Sequence, residues 1–558
     1  MSRSYQSRWA SVARRIFVGS LLTFFMILQG DVQAADPDRP APTPLVNAIS
    51  ASIKVPSTSP EMSQRIDQIL LDSWKSHGLT PAEAASDEEL TRRLYLDLLG
   101  RIPTVAELRT HDKRGPETRR GELIETLLEH PDFSSHMASV WRRALLPATA
   151  DLSAFGGTES FERWLQEEFD ANTPYDELAQ ELLLSSGRVN ESGPVLFFTA
   201  LQLKPDEIAK QTSRAFLGMR IDCAQCHDHP FDHWKQDEFW GLAAFFSRIS
   251  KPEGKMEMLS PLLQVKDNNR GDVMLPETDE VIPPRYLMGE VFQSSMNAES
   301  ETQELSRREA FVVWLTSRNN HQFAKAAVNR VWAQLFGRGI VDPVDDMGVH
   351  NPPLIPELLD ALALYFIQTD YDLRNLVVTI INTKAYQLSS RSETRSDERA
   401  KAFAQMSLKT LTAEQLYDCI AIATHREMSQ AGADQTGLLR LGSNARMQFI
   451  SQFQTTGSAV DYQAGIPQAL TMMNGILISD ATDLAIGGVL TSLSAPFFTD
   501  NQRVETLYLA TLSRKPRPEE MEHLREMLSG HKDQTARKAF WADLYWALLN
   551  SPEFTFNH

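Results

Sequence analysis

Apolar residues recur at intervals of three and four positions along most of the chain, with polar residues between them. This spacing is typical of helices that bury one face. Examples are Leu94, Leu98 and Leu99, and Leu358, Leu359, Leu362 and Leu364. Strict alternation of apolar and polar positions, which indicates half-buried strands, is scarce. The pattern therefore predicts a mainly α fold.

Helix starts are also marked by capping residues. A Ser or Thr followed three positions later by Glu or Gln predicts a capping box, in which each side chain accepts a hydrogen bond from the other residue's backbone N–H. The pattern occurs at Ser86 and Glu89, Thr104 and Glu107, Thr412 and Gln415, and Thr80 and Glu83. Each of these pairs predicts the start of a helix.

The stretch 251–303 interrupts the helical pattern. It is rich in Met, Pro, Asp and Gly and has no sustained helical period. We interpret it as an irregular linker with at most a short β-hairpin. Because 558 residues exceed what one hydrophobic core usually holds, we expect a helical domain at 61–250 and a C-terminal helical domain at 304–558.

The N-terminus has the pattern of a secretory signal peptide over residues 1–35. Four arginines precede an apolar run from Ile16 to Leu28, and Val32-Gln33-Ala34 follows with small residues of the kind that signal peptidase accepts. Residues 36–60, rich in Pro, Ala and Ser, are expected to form a flexible leader. We therefore predict an exported protein, periplasmic or at the cell surface, which contacts a membrane only if the signal segment stays uncleaved.

The net charge argues against a nucleic-acid partner. It is −18 for the whole chain and −21 after cleavage behind Ala34, which removes four arginines and one aspartate. Phosphate backbones are bound by basic surfaces, so this acidic chain has no global attraction to them.

The three cysteines are too few for a disulfide framework. Two of them form Cys223-Ala224-Gln225-Cys226-His227, the spacing of a c-type haem attachment site. There the two thiols add to the haem vinyl groups and the histidine supplies an axial nitrogen to the iron. We therefore predict haem c on Cys223 and Cys226, with His227 as the iron ligand.

Alternatives remain open for the same residues. Cys223, Cys226, His229 and His233 offer two thiolates and two imidazoles, a donor set for tetrahedral zinc. The two cysteines also have the spacing of a redox-active disulfide, or they are structural thiols. A sixth iron ligand is not determined, and its candidates are Met256, Met258 and His350.

Other polar and aromatic clusters have structural interpretations. Asp342, Asp345, Asp346, His350 and Asn351 have the oxygen and nitrogen donors for a divalent ion, but such residues near turns usually bond locally. Cys419 is expected to be a buried free thiol and Trp141 a core residue. A faint internal repeat relates Leu94-Tyr95-Leu96, Arg101 and Pro103 to Leu507-Tyr508-Leu509, Arg514 and Pro516.

Longer motifs in the chain resemble the secreted, paired domains of unknown function that are abundant in planctomycetes and named for cytochrome-like features. The resemblance lies in Arg92–Thr104 and Cys223–Asp232 for the first domain, and in Asn329–Val341, Asp345–Gly348, Asn351–Pro353 and Pro356–Asp360 for the second. It implies export and a haem-bearing first domain, but no reaction. The chain departs from the pattern at Ile355, where relatives often have a histidine, and it has no second Cys-x-x-Cys-His.

The first functional hypothesis is an exported haem protein that transfers electrons for a partner oxidoreductase or degradative system, the redox partner being unknown. A second is a zinc- or other metal-dependent enzyme, or a metal-stabilised domain, that uses the same Cys and His cluster. A third is a non-catalytic cell-surface scaffold. No nucleophile elbow, phosphate-binding loop or dinucleotide fingerprint occurs, so the sequence does not decide whether the chain is an enzyme.

Overall fold

The chain is described here from a computed structural model. The described residues are 53–147, 158–188, 191–230, 232–250, 264–268, 270–287, 289, 305–391, 397–425, 446, 449–450, 471–473, 475–483, 488–531 and 533–558. The predicted signal peptide and most of the predicted leader lie outside these residues, as do Met256 and Met258.

Helices make up most of the described chain. They are α1 (Ser59–Ser76), α2 (Asp87–Leu98), α3 (Val105–His111), α4 (Arg119–Leu128), α5 (Pro131–Leu145), α6 (Thr158–Asp170), α7 (Tyr175–Leu184), α8 (Leu196–Ala200), α9 (Pro205–Thr212), α10 (Gln236–Ala244), α11 (Arg307–Leu315), α12 (His321–Phe336), α13 (Pro356–Gln368), α14 (Leu373–Ile381), α15 (Asp397–Lys401), α16 (Ala413–Thr424), α17 (Ile476–Thr482), α18 (Gly488–Leu493), α19 (Asp500–Leu512), α20 (Pro518–Gly530), α21 (Gln534–Leu549) and α22 (Pro552–Thr555). None of the described helices has the length and apolar character needed to span a bilayer.

Short strands pair only two at a time within the described residues. The pairs are β1 (Gly187–Arg188) with β2 (Gln264–Val265), β3 (Val273–Met274) with β4 (Val281–Ile282), and β5 (Lys409–Thr410) with β6 (Phe556–Asn557), all antiparallel. The β3–β4 hairpin lies in the predicted linker. The mainly α prediction and the short hairpin are therefore both confirmed.

The capping residues predicted most helix starts correctly. Thr104 with Glu107 and Thr412 with Gln415 form complete capping boxes, and Ser86 accepts the backbone N–H of Glu89. The prediction at Thr80 was wrong, because no helix begins there. Instead, the backbone of residues 82–85 forms hydrogen bonds with that of residues 387–404, so partners distant in sequence override the local signal.

Two hydrophobic cores organise the described helices. The first contains buried residues from Met62 to Met406, and so draws on both sides of the 251–303 stretch. Trp141 lies in it, as predicted, and is 1% exposed. The second core combines Leu96 and Ile102 with residues between 416 and 554. Neighbouring residues of α2 thus enter different cores, and this helix joins the two.

The internal repeat is reproduced in detail, and its first copy is built around a buried arginine. Arg101 donates from Nε to Asp132 Oδ2 (2.6 Å) and from Nη2 to Glu107 Oε1 (2.9 Å). Its guanidinium carbon lies 5.7 Å from the centre of the Tyr95 ring. The preceding Gly100 has φ +71°.

The second copy repeats each of these features at Arg514. This arginine donates from Nε to Glu553 Oε1 (2.6 Å) and from Nη2 to Glu520 Oε1 (2.8 Å). Its guanidinium carbon lies 5.3 Å from the Tyr508 ring, and the preceding Ser513 has φ +60°. The two stretches are therefore two copies of the same helical unit, as the sequence pattern predicted.

Candidate functional site

The Cys-x-x-Cys-His motif lies on a short 3-10 helix, Asp222–Gln225, at the protein surface. Cys223 and Cys226 are both free and exposed, and His227 is exposed as well. Ala224, between the cysteines, is completely buried. The alternation follows from the tight turn, which directs Ala224 to the interior and leaves both thiols accessible.

The backbone of this turn is fastened to α10. The carbonyl oxygen of Gln225 accepts hydrogen bonds from Trp240 Nε1 (3.1 Å) and Gln236 Nε2 (3.2 Å). Gln236 Nε2 also donates to the carbonyl oxygen of Cys226 (3.1 Å). These bonds satisfy carbonyls that a short helix leaves without intrahelical partners. They hold the segment that carries the thiols in a defined position.

The imidazole of His227 has a defined proton arrangement. Its Nδ1 lies 2.8 Å from the carbonyl oxygen of Asp228. A carbonyl oxygen can only accept, so Nδ1 carries the proton and donates it. In the neutral ring Nε2 is then left with a free lone pair. Histidines that bind metals characteristically donate their second ring N–H to such a carbonyl or to a carboxylate.

The loop after His227 folds back on itself. The backbone N–H of His229 donates to the carbonyl oxygen of Trp234 (2.8 Å), and the N–H of Asp232 donates to His229 Nδ1 (2.9 Å). The Asp232 carboxylate is only 3% exposed and lies 2.6 Å from His233 Nδ1. His233 itself is half exposed. The loop is therefore held by its own polar side chains.

A segment of the C-terminal half contacts the chain on both sides of the motif. Before the motif, Arg220 donates to Asp345 Oδ1 (2.6 Å), and this hydrogen bond raises the pKa of Arg220. After it, His350 Nδ1 lies 3.4 Å from Asp232 Oδ2, and His350 Nε2 lies 3.3 Å from Asp346 Oδ1. The motif is thus flanked by residues of both halves of the chain.

The residues present fit a covalently attached haem in their donor chemistry. The site offers two accessible thiols three positions apart and an accessible imidazole nitrogen directly after them. Trp240, which is partly buried, donates to the carbonyl oxygen of Gln225 within the motif, and Trp234 is buried in the first core. Phe231, which belongs to the Cys223–Asp232 motif, lies outside the described residues.

The zinc donor set is not gathered into one site. Among the described residues, which include Cys223, Cys226, His229 and His233, no group of three His, Cys, Asp or Glu side chains has a metal-binding arrangement. His229 Nδ1 already accepts the N–H of Asp232. Zinc binding by these four residues would therefore require the loop to rearrange.

The acidic cluster around Asp342 is occupied by internal contacts. Asp342 pairs with Arg338, and Asn351 donates to the carbonyl oxygens of Asp342 and Asp346. Asp345 in addition forms an ion pair with Arg220. Together these contacts favour the structural interpretation of the cluster.

Cys419 differs sharply from the motif cysteines. It is free, completely buried in the second core, and burial raises the pKa of its thiol to about 12. The prediction of a buried free thiol is confirmed.

The sequence did not predict the pairing of Asp232 with His350. A Cβ atom at Gly348 would lie 2.6 Å from Asp232 Oδ2 and 2.7 Å from His350 Cε1, so the absence of a side chain at residue 348 leaves room for this contact. This steric reason is visible only once the two segments are placed together.

Comparison with protein families agrees with the order of the two halves. Residues 65–251 match the model named PSCyt2, described as a protein of unknown function (DUF1549), and residues 307–440 match PSD1, a protein of unknown function (DUF1553). Searches of curated proteins and of solved structures gave no match. Two parts of the chain are therefore similar to domains of unknown function, DUF1549 followed by DUF1553, in the paired order that the motifs implied.

Proposed function

We propose that this chain is an exported c-type haem protein that transfers electrons to or from a partner oxidoreductase or degradative system outside the cytoplasmic membrane. The observation that carries the proposal is the accessibility of the two thiols together with the proton position on His227. Both thiols are free and accessible, and His227 has its Nδ1 proton committed to the Asp228 carbonyl while Nε2 is left for a ligand.

The chain's own residues have distinct tasks in this proposal. Cys223 and Cys226 would hold the haem by thioether bonds, and His227 would bind the iron through Nε2. The haem, once attached, supplies one-electron chemistry. The hydrogen bond to Asp228 would fix the tautomer and the orientation of the imidazole.

Buried neighbours favour a stable attachment. Ala224 and Trp234 belong to the first hydrophobic core, so the turn that bears the thiols rests on a rigid base. Rigid support reduces the ordering that a bound group would otherwise require. A motif on a mobile tail would lack this advantage.

The test is an absorption spectrum of the full chain exported in a host with haem-maturation machinery, followed by a denaturing gel stained for haem. We expect a Soret band and haem that stays with the polypeptide after denaturation. Cys223→Ala and Cys226→Ala should each weaken or abolish covalent attachment, and His227→Ala should abolish the native spectrum.

Cys419→Ala is the matched control, because it also removes one thiol but lies in the second core. It should retain wild-type haem content. A colourless wild-type protein despite active maturation would refute the proposal. Elemental analysis for zinc would then separate a metal-stabilised domain from a bare helical scaffold.

A further inference from the structure

The loop that follows His227 is fixed to the C-terminal half through one buried carboxylate. Asp232 Oδ1 lies 2.6 Å from His233 Nδ1 and accepts the backbone N–H of His233 (2.7 Å). Its second oxygen, Oδ2, faces His350 Nδ1 at 3.4 Å. A carboxylate that is 3% exposed needs such partners, because an unpaired buried charge is strongly unfavourable.

The same C-terminal segment, residues 345–350, also forms hydrogen bonds with the chain just before the motif. The backbone N–H of Met347 donates to the carbonyl oxygen of Gly218 (2.7 Å), and Asp345 accepts from Arg220 (2.6 Å). Gly218 has φ +65° and ends the turn Ser213–Leu217. Residues 345–350 therefore contact both flanks of the stretch that carries the thiols and His227.

Separate hydrogen bonds hold the stretch of backbone that lies between the Asp232 side chain and the His227 ring. The N–H of Asp232 donates to His229 Nδ1, and the N–H of His229 donates to Trp234. Asp228 Oδ1 accepts the N–H of Gln236 (2.9 Å), which closes the loop onto α10. The carbonyl oxygen of Asp228 in turn holds His227 Nδ1.

From these contacts we infer that Asp232 is a positioning residue of the haem site, which sets the orientation of His227 by fixing the 228–236 loop to His350. This inference rests on the proposed haem function. It means that the DUF1553 half completes a site whose thiols and histidine all lie in the DUF1549 half. Two other titratable side chains face this contact: Asp346 lies beside His350 Nε2, and His233 lies beside Asp232.

Two substitutions separate positioning from charge. Asp232→Asn removes the negative charge that faces His233 and His350. Gly348→Ala changes no charge but places a Cβ 2.6 Å from Asp232 Oδ2 and 2.7 Å from His350 Cε1, so the two side chains of the contact must shift. Gly121→Ala is the matched control, because its Cβ meets nothing within 4 Å.

The first measurement is hydrogen exchange in the haem-free full chain. Breaking the contact should make amides of the 228–236 loop exchange at least about tenfold faster, while those of α12 stay protected. The second is the visible spectrum and reduction potential of the haem-loaded full chain. Both variants should shift the potential and the spectrum, and Asp232→Asn should shift the potential upward because a nearby negative charge stabilises oxidised iron.

The outcomes are distinguishable from those of the proposed function. If wild type carries haem and both variants keep its spectrum and potential, Asp232 is only structural and the inference fails. If Gly121→Ala shifts the potential as much as Gly348→Ala does, the inference fails too. If wild type carries no haem, the proposed function fails, and an unchanged exchange rate in the variants would overturn the link between the segments independently.

Discussion

Asp97→Asn should destabilise the whole described fold, because Asp97 pairs with groups from three distant parts of the chain. Its carboxylate accepts from Lys409 Nζ (2.6 Å), Asn557 Nδ2 (2.7 Å) and the Tyr386 hydroxyl (2.8 Å). Asp97 is 3% exposed and Lys409 is 6% exposed, so solvent does not screen the pair. Lys409 also donates to the carbonyl oxygen of Leu335 (2.8 Å) in the last turn of α12.

The expected magnitude follows from the burial of the remaining charge. Removing one partner of a buried ion pair costs about 3–5 kcal/mol, because the other charge stays in the interior without compensation. Lys409→Met in the Asp97→Asn background removes that charge, so the double variant should be less destabilised than the sum of the single variants.

The loss should also depend on pH in a defined direction. Burial lowers the pKa of Lys409, and in the native chain the Asp97 charge opposes that shift. Without Asp97, Lys409 in the folded chain loses its proton at a lower pH. In the unfolded chain it stays protonated until the pH reaches the ordinary lysine pKa. The unfolded state then binds more protons, so the variant should regain stability as pH rises, by up to about 1.4 kcal/mol per pH unit.

Urea unfolding of wild type, both single variants and the double variant at two pH values measures these effects. A loss below about 1 kcal/mol for Asp97→Asn would refute the assignment of a buried, uncompensated charge. Strict additivity in the double variant would show that the two residues do not act as a pair.

Three further outcomes are expected. Burial lowers the pKa of His136 to about 3, so below pH 6.5 the unfolded chain binds a proton that the folded chain does not. The free energy of unfolding should therefore fall by about 2 kcal/mol between pH 8 and pH 5. Urea titrations of His136→Gln should lack this part of the pH dependence. In the haem-free folded chain a thiol dye should modify Cys223 and Cys226 rapidly and Cys419 only after denaturation; three fast thiols would contradict its burial. Gly100→Ala should lower the free energy of unfolding by about 2–4 kcal/mol, because φ is +71° at this residue and the new Cβ would lie 2.4 Å from His136 Nδ1. An unchanged melting temperature would contradict this expectation.

Local signals in the sequence accounted well for individual elements. The capping boxes at Thr104 and Thr412 formed because their hydrogen bonds lie within one turn and need no distant partner. At Thr80 the same signal failed, since the backbone N–H of Ala82 found the carbonyl oxygen of Ala404 instead. Spacing alone cannot reveal a competitor more than 300 residues away.

The residue types of the candidate site were readable from the sequence, since a Cys-x-x-Cys-His motif is defined by local spacing. The burial of Cys419 was also predicted, and the structure confirms it. The internal repeat was also visible, because each copy keeps its Tyr, Arg and Glu at the same intervals.

The surroundings of the motif and the division into two cores depend on contacts between residues that are far apart in the sequence. Asp232 meets His350 across more than 100 residues, and Asp97 meets Lys409 and Asn557 across still longer separations. Such contacts are selected by the free energy of packing and of pairing buried charges, which depends on the whole fold rather than on any local pattern. Periodicity and residue types predicted the helices and the Cys-x-x-Cys-His motif, whereas packing placed residues of both halves of the chain beside that motif.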